Sequence, residues 1–327
     1  MSEKILSISV AAYNISETLD QLLASLTGDI SVLQKMEIII VNDGSKDDTS
    51  QKAHRYAAEY PESVVVIDKE NGGYGSTINS SLAVARGKYY KLLDGDDWYA
   101  SENLEDFIGY LEKAEADLVI TPYVQVKGSD VKTIDNHQEI KEESTQFSTA
   151  QIDNDTYLMH EVTVRTERLR NFHQPIAEHC FYTDLEYVFY VLASAATVSR
   201  FSEPIYCYRL GVEGQSVSIT GVRKHYKDYF VVARRMFAFY ESTYKAYTGG
   251  KKKALSAGIR NYSYHVYHAY TLLDNPGGKK KELIRFDQEI KQNYPEGYSL
   301  GYGSKLVSLL RKTKFLVFSV ICKSNQP

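Results

Sequence analysis

Cysteine, proline and tryptophan are scarce in this sequence: three, seven and one among 327 residues. Cys180, Cys207 and Cys322 are odd in number, widely spaced and without a C-x-x-C, which excludes a disulfide-stapled module and a zinc ribbon. A reducing, cytoplasmic compartment fits them. No stretch approaches the roughly 20 apolar residues of a membrane span, the nearest being Phe315 to Cys322. Ile5 to Ala12 has the length of a signal-peptide core, but Lys4 is offset by Glu3 and the run leads straight into Tyr13-Asn14, so it reads as a first strand. Excess positive charge is missing too: 38 Lys+Arg against 42 Asp+Glu give a net charge of −4, which excludes the electrostatic footprint of a nucleic-acid binder.

What is present is the composition of a folded protein, 43% hydrophobic and 24% charged. From residue 5 to 121, short β-branched runs alternate with helical patterns, the signature of βαβ units. The strand candidates are Ile5–Ala12, Glu37–Asn42, Ser63–Asp68, Tyr89–Leu93 and Asp117–Thr121. Between the first two, Leu19, Leu22, Leu23 and Leu26 recur at helical spacing up to Gly28. Helical patterns also fit Asp47–Tyr60, Ser76–Arg86 and Glu102–Ala114. Residues 127 to 156 turn polar and are expected to form a long surface excursion. A helix is expected at Asp184–Ala195, strands at Thr197–Phe201 and Ile205–Arg209, and helices from about Val222 onward. The pattern predicts an α/β fold, a doubly wound, mostly parallel sheet flanked by helices over residues 1–221, with a helical region over 222–327.

Three motifs carry chemistry. Asp94-Gly95-Asp96-Asp97 follows an apolar strand, and acids at the carboxyl end of a parallel strand face the crevice where such sheets bind ligands. Asp94 and Asp96 can together hold a hard divalent cation that bridges a diphosphate, while a solvated turn capping the next helix is the plainer reading. Asp43-Gly44-Ser45 ends a second apolar strand, where Asp43 suits either a base or ribose contact or an Asx-type turn. Asn71 to Asn79 opens a helix through Gly72, Gly73 and Gly75, but Ile78 stands at the third glycine position of a dinucleotide fingerprint, which damages that reading and leaves phosphate or sugar contact open.

In order and spacing these motifs resemble family 2 glycosyltransferases of the GT-A fold, over about residues 5 to 220. The resemblance implies transfer of a sugar, most simply from a UDP-sugar, to a hydroxyl of a glycan or lipid-linked acceptor in surface polysaccharide synthesis, with Mn²⁺ or Mg²⁺ as cofactor. It assigns Ala11, Tyr13, Asp43, Gly73, Asn79, Asp94, Gly95 and Arg209 to the donor, with Tyr13 on the base, and Asp96 with Asp94 to the metal. Asp184, in Phe181-Tyr182-Thr183-Asp184, takes the part of general base in an inverting displacement. Thr183 departs from the family's usual glutamate, so Glu178, His179 and Glu186 are kept as alternative bases, and Ile78 stands where many members have an arginine. Arg209 and Gln215 to Ser218 resemble a region that closes over the diphosphate. A sugar-nucleotide nucleotidyltransferase is the rival enzyme, although Ala11-Ala12-Tyr13-Asn14 lacks the glycine-rich, basic first loop it would need. A non-catalytic nucleotide- or glycan-binding protein is the other rival.

Elsewhere the residues read more plainly. Tyr262, Tyr264, Tyr267 and Tyr270 at helical spacing are packing residues, and His265 with His268 lacks further metal ligands. The segment Gly297 to Pro327 carries five bases, Lys305, Arg311, Lys312, Lys314 and Lys323, and no acid; setting these aside leaves −9 on the rest of the chain. With Leu306, Leu309, Leu310, Val317, Val320 and Ile321 on one face, residues 303–322 read as a basic amphipathic helix for the inner leaflet of a membrane. A helix docked on its own domain or at a homo-oligomer interface is the competing reading.

Overall fold

In the computed structural model the apolar runs of the first half become strands of one sheet. The structure describes residues 3–151, 156–211, 219–273 and 276–324. The elements run β1 (Leu6–Ala12), α1 (Leu19–Thr27), α2 (Ile30–Gln34), β2 (Met36–Asp43), α3 (Thr49–Glu59), β3 (Val64–Lys69), α4 (Tyr74–Val84), β4 (Tyr89–Asp94), β5 (Trp98–Tyr99), α5 (Leu104–Lys113) and β6 (Leu118–Ile120). There follow β7 (Tyr123–Lys127), β8 (Asp130–Ile134), β9 (Thr145–Gln146), β10 (Val162–Arg165), α6 (Thr166–Asn171), α7 (Asp184–Ser194), β11 (Thr197–Arg200) and β12 (Tyr206–Arg209). The rest is helical: α8 (Ile219–His225), α9 (Asp228–Thr243), α10 (Gly249–Thr271), α11 (Pro276–Asn293), α12 (Pro295–Leu300), α13 (Lys305–Lys312) and α14 (Phe318–Ser324).

The large sheet has the order β3-β2-β1-β4-β10-β6-β11-β9, and a smaller one the order β5-β12-β7-β8. β2, β1 and β4 are covered on both faces, so their sequences read as apolar runs rather than alternations. The α1 leucines 19, 22, 23 and 26 are all buried against the sheet, each worth roughly 1.5–3 kcal/mol. Parallel register pairs Ala11 with Val41 and with Asp94, and Asp43 with Lys69. The carboxyl ends of four strands therefore meet at one edge. Strand order reverses between β1 and β4, the switch point at which open α/β sheets form their crevice.

Three expectations are corrected. The polar stretch after residue 127 is not a single surface excursion: β7 and β8 form a hairpin across Gly128, which has φ +60°, and His137, Ile140 and Phe147 are buried. β8 is largely exposed and β7 only partly buried, so their sequence carries little apolar signal. β10, which the alternation of runs does not announce, inserts antiparallel between β4 and β6. The tail is not one helix: α13 ends at Lys312, and Lys314 and Phe315 have φ of 49° and 60°, a left-handed turn that no continuous helix passes. Among the described residues no helix is long and apolar enough to cross a membrane.

Lys91 lies in the middle of β4, fully buried, with Nζ donating to the carbonyls of His160 (2.8 Å) and Val162 (3.3 Å). Burial pulls its pKa down to about 7. The unfolded chain then binds more protons than the folded one between that value and the ordinary lysine range, so this group adds stability as pH rises through the window. Thermal melts at pH 7 and pH 9 should show a rise attributable to Lys91, and Lys91→Met should remove it. Identical pH profiles for the two chains would refute the assignment.

Candidate active site

The edge where β1, β2 and β4 end opens into a cleft of about 500 Å³. It is lined by Ala11, Ala12, Tyr13, Asp43, Gly73, Asp94, Gly95 and Asp96 and by Tyr74, Thr77, Cys180, Phe181, Lys224 and His225. Of the residues named from sequence, this cleft brings together Ala11, Tyr13, Asp43, Gly73, Asp94, Gly95 and Asp96.

The acidic turn is built by glycine. A Cβ on Gly95 would lie 2.7 Å from Ile15 Cγ2 and 2.9 Å from the Ala11 carbonyl, so only glycine lets the turn seat against the end of β1. Asp97 N donates to Asp94 O at 3.1 Å, closing the turn. The Asp97 carboxylate points inward and is taken by Tyr206 Oη (2.6 Å) and by the Arg209 backbone N–H (2.7 Å). Asp94 accepts from Tyr74 Oη at 2.6 Å. Among the described residues no protein donor reaches the Asp96 carboxylate.

Burial pushes both Asp94 and Asp97 well above the usual carboxylate range; Asp96 and, for Asp94, Asp184 add repulsion, partly offset by the Tyr74 hydroxyl at Asp94. Ligand oxygens of Asp94, Asp96 and Asp97 lie within 4.8 Å of one another. Carboxylates this close repel one another, and their hard oxygen donors fit a divalent cation. Since the Asp97 oxygens already accept two bonds, Asp94 and Asp96 are the pair that fits it.

Asp43 is buried, and both of its carboxylate oxygens have protein donors. It accepts from Gly72 N, Gly73 N and Lys69 Nζ, each at 2.8 Å, and so fastens the glycine loop to the end of β2. Gly73 adopts φ +80° to make this turn. Asn14, at φ 54°, accepts from Lys46 N (2.7 Å) while its own N–H donates to Ser45 Oγ (3.0 Å); this latch leaves Tyr13 half-exposed at the mouth of the cleft.

Asp184 opens α7, where its carboxyl is raised by burial and partly held down by the N–H groups of Leu185 and its own residue. Its charge bears on Asp94, Tyr74, Tyr182 and Tyr229. The segment leading to it is strained: His179 and Tyr182 have φ of 52° and 63°. Such φ costs a bulky residue about 1–2 kcal/mol, and here the Tyr182 ring stacks on Tyr229 at 4.0 Å and 11° while His179 N donates to Gly72 O. The other acids named as bases are occupied. Glu186 accepts from Ala177 N (2.9 Å) and pairs with Arg235, and Glu178 accepts from Asn79 Nδ2 at 2.9 Å.

Two residues assigned to the donor stand outside this lining. Asn79 clasps the Ile176 backbone, donating to its carbonyl and accepting from its N–H, both at 2.9 Å, and so positions the loop toward Cys180. Arg209 donates to the Asp96 carbonyl (2.8 Å) and to Gln21 Oε1 (2.6 Å), and lies 4.6 Å over the Trp98 ring, which braces the acidic turn from behind. Gln215 to Ser218 lie outside the described residues. Sequence reasoning missed Tyr74, Thr77, Cys180, Phe181, Lys224 and His225 as cleft residues. Tyr74 and Phe181 lie inside quoted motifs, whereas Lys224 and His225 carry no local signal and reach the cleft only through the placing of α8. The His225 ring stacks on Phe181 at 3.7 Å.

The same close approach gives a stability prediction. A Cβ on Gly75 would lie 2.0 Å from the Ala177 carbonyl, a backbone atom that cannot yield as a side-chain end would. Gly75→Ala should cost about 2–4 kcal/mol, read as a lowered urea midpoint. An unchanged midpoint would mean the 176–180 loop is not held against α4.

Comparison with known proteins follows the same lines. A family model described as "Glycosyl transferase family 2" matches residues 7–180. The minor teichoic acid biosynthesis protein GgaB of Bacillus subtilis is 26% identical over 229 residues, 68% of this chain and 25% of that protein. The putative glycosyltransferase EpsH of the same organism is 34% identical over 136 residues, 42% of this chain and 38% of that one. A poly(ribitol-phosphate) beta-glucosyltransferase of Bacillus spizizenii is 29% identical over 128 residues, 38% of this chain and 20% of the other. The matches thus span well under half the length of these relatives. Among solved structures, S. aureus TarS matches with TM-score 0.68 at 18% identity, over 97% of this chain and 55% of that chain. TarS 1-349 in complex with UDP-GlcNAc gives 0.58 at 16%, over 95% and 92%. The mannosyltransferase PcManGT from Pyrobaculum calidifontis, in complex with GDP-Man and Mn²⁺, gives 0.54 at 11%, over 99% and 88%. At these identities the likeness is one of fold, the GT-A arrangement of a parallel-rich sheet flanked by helices.

Proposed function

The chain belongs to glycosyl transferase family 2, and from that premise we propose that it transfers a sugar from a UDP-sugar to a hydroxyl of a teichoic-acid-like or other surface glycan, free or lipid-linked. The observation that carries this is the meeting of Asp94 and Asp96 with Ala11, Tyr13 and Asp43 at the switch point of the sheet, with the charge of Asp184 bearing on Asp94. The donor and acceptor classes draw support from UDP-GlcNAc in the TarS complex and from the teichoic acid relatives. Residues 1–221 would form the transferase unit, with 222–327 a helical region whose α8 supplies Lys224 and His225 to the cleft wall. Three buried free cysteines suit a reducing, cytoplasmic setting.

Asp94 and Asp96 would hold the divalent cation, Mn²⁺ or Mg²⁺. When bound, it neutralises the charge that gathers on the departing diphosphate. Tyr74 orients Asp94 through its hydroxyl, and the Arg209 guanidinium and Asp97 keep the turn in place. Asp184 takes the acceptor proton as the acceptor oxygen bonds to the anomeric carbon and the bond to the diphosphate breaks, with the electron pair leaving on the diphosphate. One base and one in-line displacement invert that carbon.

A thermal-shift series with UDP, GDP, CDP and dTDP, each with and without Mn²⁺, tests the donor class. A ligand at about a hundred times its Kd adds about 2.7 kcal/mol to the folded state, so UDP with metal should give a clear rise in Tm. A rise with GDP alone would overturn the UDP assignment. Release of UDP from a UDP-sugar would support transfer; release of pyrophosphate would favour a nucleotidyltransferase, and no release from any donor a binding protein.

A further inference from the structure

The tail that the sequence presents as one amphipathic helix is divided by the fold into two sides. Its inner side docks: Val307, Leu310, Phe315, Phe318 and Cys322 are buried. Arg311, the one tail base that is buried, donates to Asp287 Oδ1 and to the Tyr298 carbonyl, both at 2.7 Å, and to Tyr267 Oη at 3.0 Å. The expectation of a docked element is met by this half.

The outer side is different. Leu316 is 77% exposed, Val320 68% and Leu309 46%, within twelve residues of one another. Along the same stretch of the tail Lys305, Lys312, Lys314 and Lys323 are exposed, and among the described residues none of the four pairs with a carboxylate. The underlying α10 has no acidic residue, and on α11 Asp287 is taken by Arg311, Glu289 by Arg234 at 2.6 Å, and Glu282 lies 3.8 Å from Lys279. The left-handed turn at Lys314 and Phe315 buries Phe315 and pushes Leu316 outward, next to a lysine.

We propose that this face, Leu309, Leu316 and Val320 set among four lysines, is a docking surface for an anionic lipid membrane. Three separated aliphatic side chains are too few for the core of a stable dimer, which buries about 800 Å² per partner. In a two-fold pair of copies this face would meet itself, setting four lysines against four lysines with no acid between them. Anionic headgroups satisfy the lysines while the aliphatic side chains enter the headgroup and acyl boundary. The inference does not depend on the transferase reading.

Co-sedimentation of the full chain with vesicles tests it, since no turnover is needed. Binding is expected to phosphatidylglycerol–phosphatidylcholine vesicles at low salt, to weaken as salt rises, and to be lost on phosphatidylcholine alone. Each lysine is worth about five-fold in partitioning, so Gln at all four positions should weaken binding by more than 100-fold. Leu316→Asp with Val320→Asp should weaken it at least ten-fold, with circular dichroism unchanged because both side chains are exposed. Val131→Asp, at a residue equally exposed on β8, should change nothing. The proposal falls if the unaltered chain ignores anionic vesicles at low salt, or if Val131→Asp matters as much as the tail changes. It falls too if Leu316→Asp dissociates an oligomer seen by light scattering, which would make the face an interface between copies.

Discussion

Replacing Asp96 with alanine is expected to cut sugar transfer by roughly 10³-fold and to remove the metal-dependent part of UDP binding, while the fold survives. The reason lies in how the three acids divide. Asp97 already serves Tyr206 and the Arg209 N–H, and Asp94 serves Tyr74, so the Asp96 carboxylate is the one among the described residues with its oxygens turned to the cleft and no protein donor on them. Its loss leaves charge on the departing diphosphate without its counterpart. It also relieves like-charge repulsion at Asp94 and Asp97, for which Asp96 is a source of the upward shift, so the folded state should not suffer. Calorimetric titration of UDP with and without Mn²⁺, beside UDP release, provides the measurement. Wild-type turnover in Asp96→Ala would end the assignment of the cation to this turn.

How much of this was legible in the sequence differs by element. β1, β2, β4 and β6 announce themselves because the sheet's centre is buried on both faces, the edge strand β3 through its β-branched run Val64-Val65-Val66-Ile67, and the leucine stripe of α1 because one face of a helix must cover the sheet. The β7–β8 hairpin and β10 do not, since a partly buried strand, an exposed one and a four-residue insertion leave no long run of apolar residues. The acidic turn, Asp43 and the glycine loop are legible because they lie at strand ends in one stretch of chain. Lys224 and His225 are not, because only the packing of α8 brings them to the cleft. Asn79 and Arg209 illustrate a third case: their residue types suit a donor contact, yet local partners, the Ile176 backbone and the Asp96 carbonyl, occupy them in bracing the site. A motif indicates that a residue is needed near the chemistry, and its hydrogen bonds decide whether it is needed in it.

The same distinction bears on the base. Asp184→Asn should lower transfer by about 10²-fold or more while leaving UDP binding intact, because the amide keeps size and polarity and cannot take a proton. Glu186 cannot substitute, being buried and held by Ala177 N and Arg235, and Glu178 is exposed on the loop that Asn79 grips. The pH dependence separates a lost base from a damaged fold. Burial raises the Asp184 carboxyl, so its ionised form costs stability: as pH rises from the ordinary aspartate value to the folded one, the native state holds more protons than the unfolded state and stability falls. Asp184→Asn escapes that loss and should melt at the same or a higher temperature at pH 7. For the unaltered chain the acid limb of kcat/KM should lie above the usual carboxylate range, and the residual rate of the variant should lack that limb. Retained transfer in Asp184→Asn with a collapse in Glu178→Gln would move the base to the loop before α7; a lowered melting temperature together with lost UDP binding would make Asp184 a structural cap of that helix.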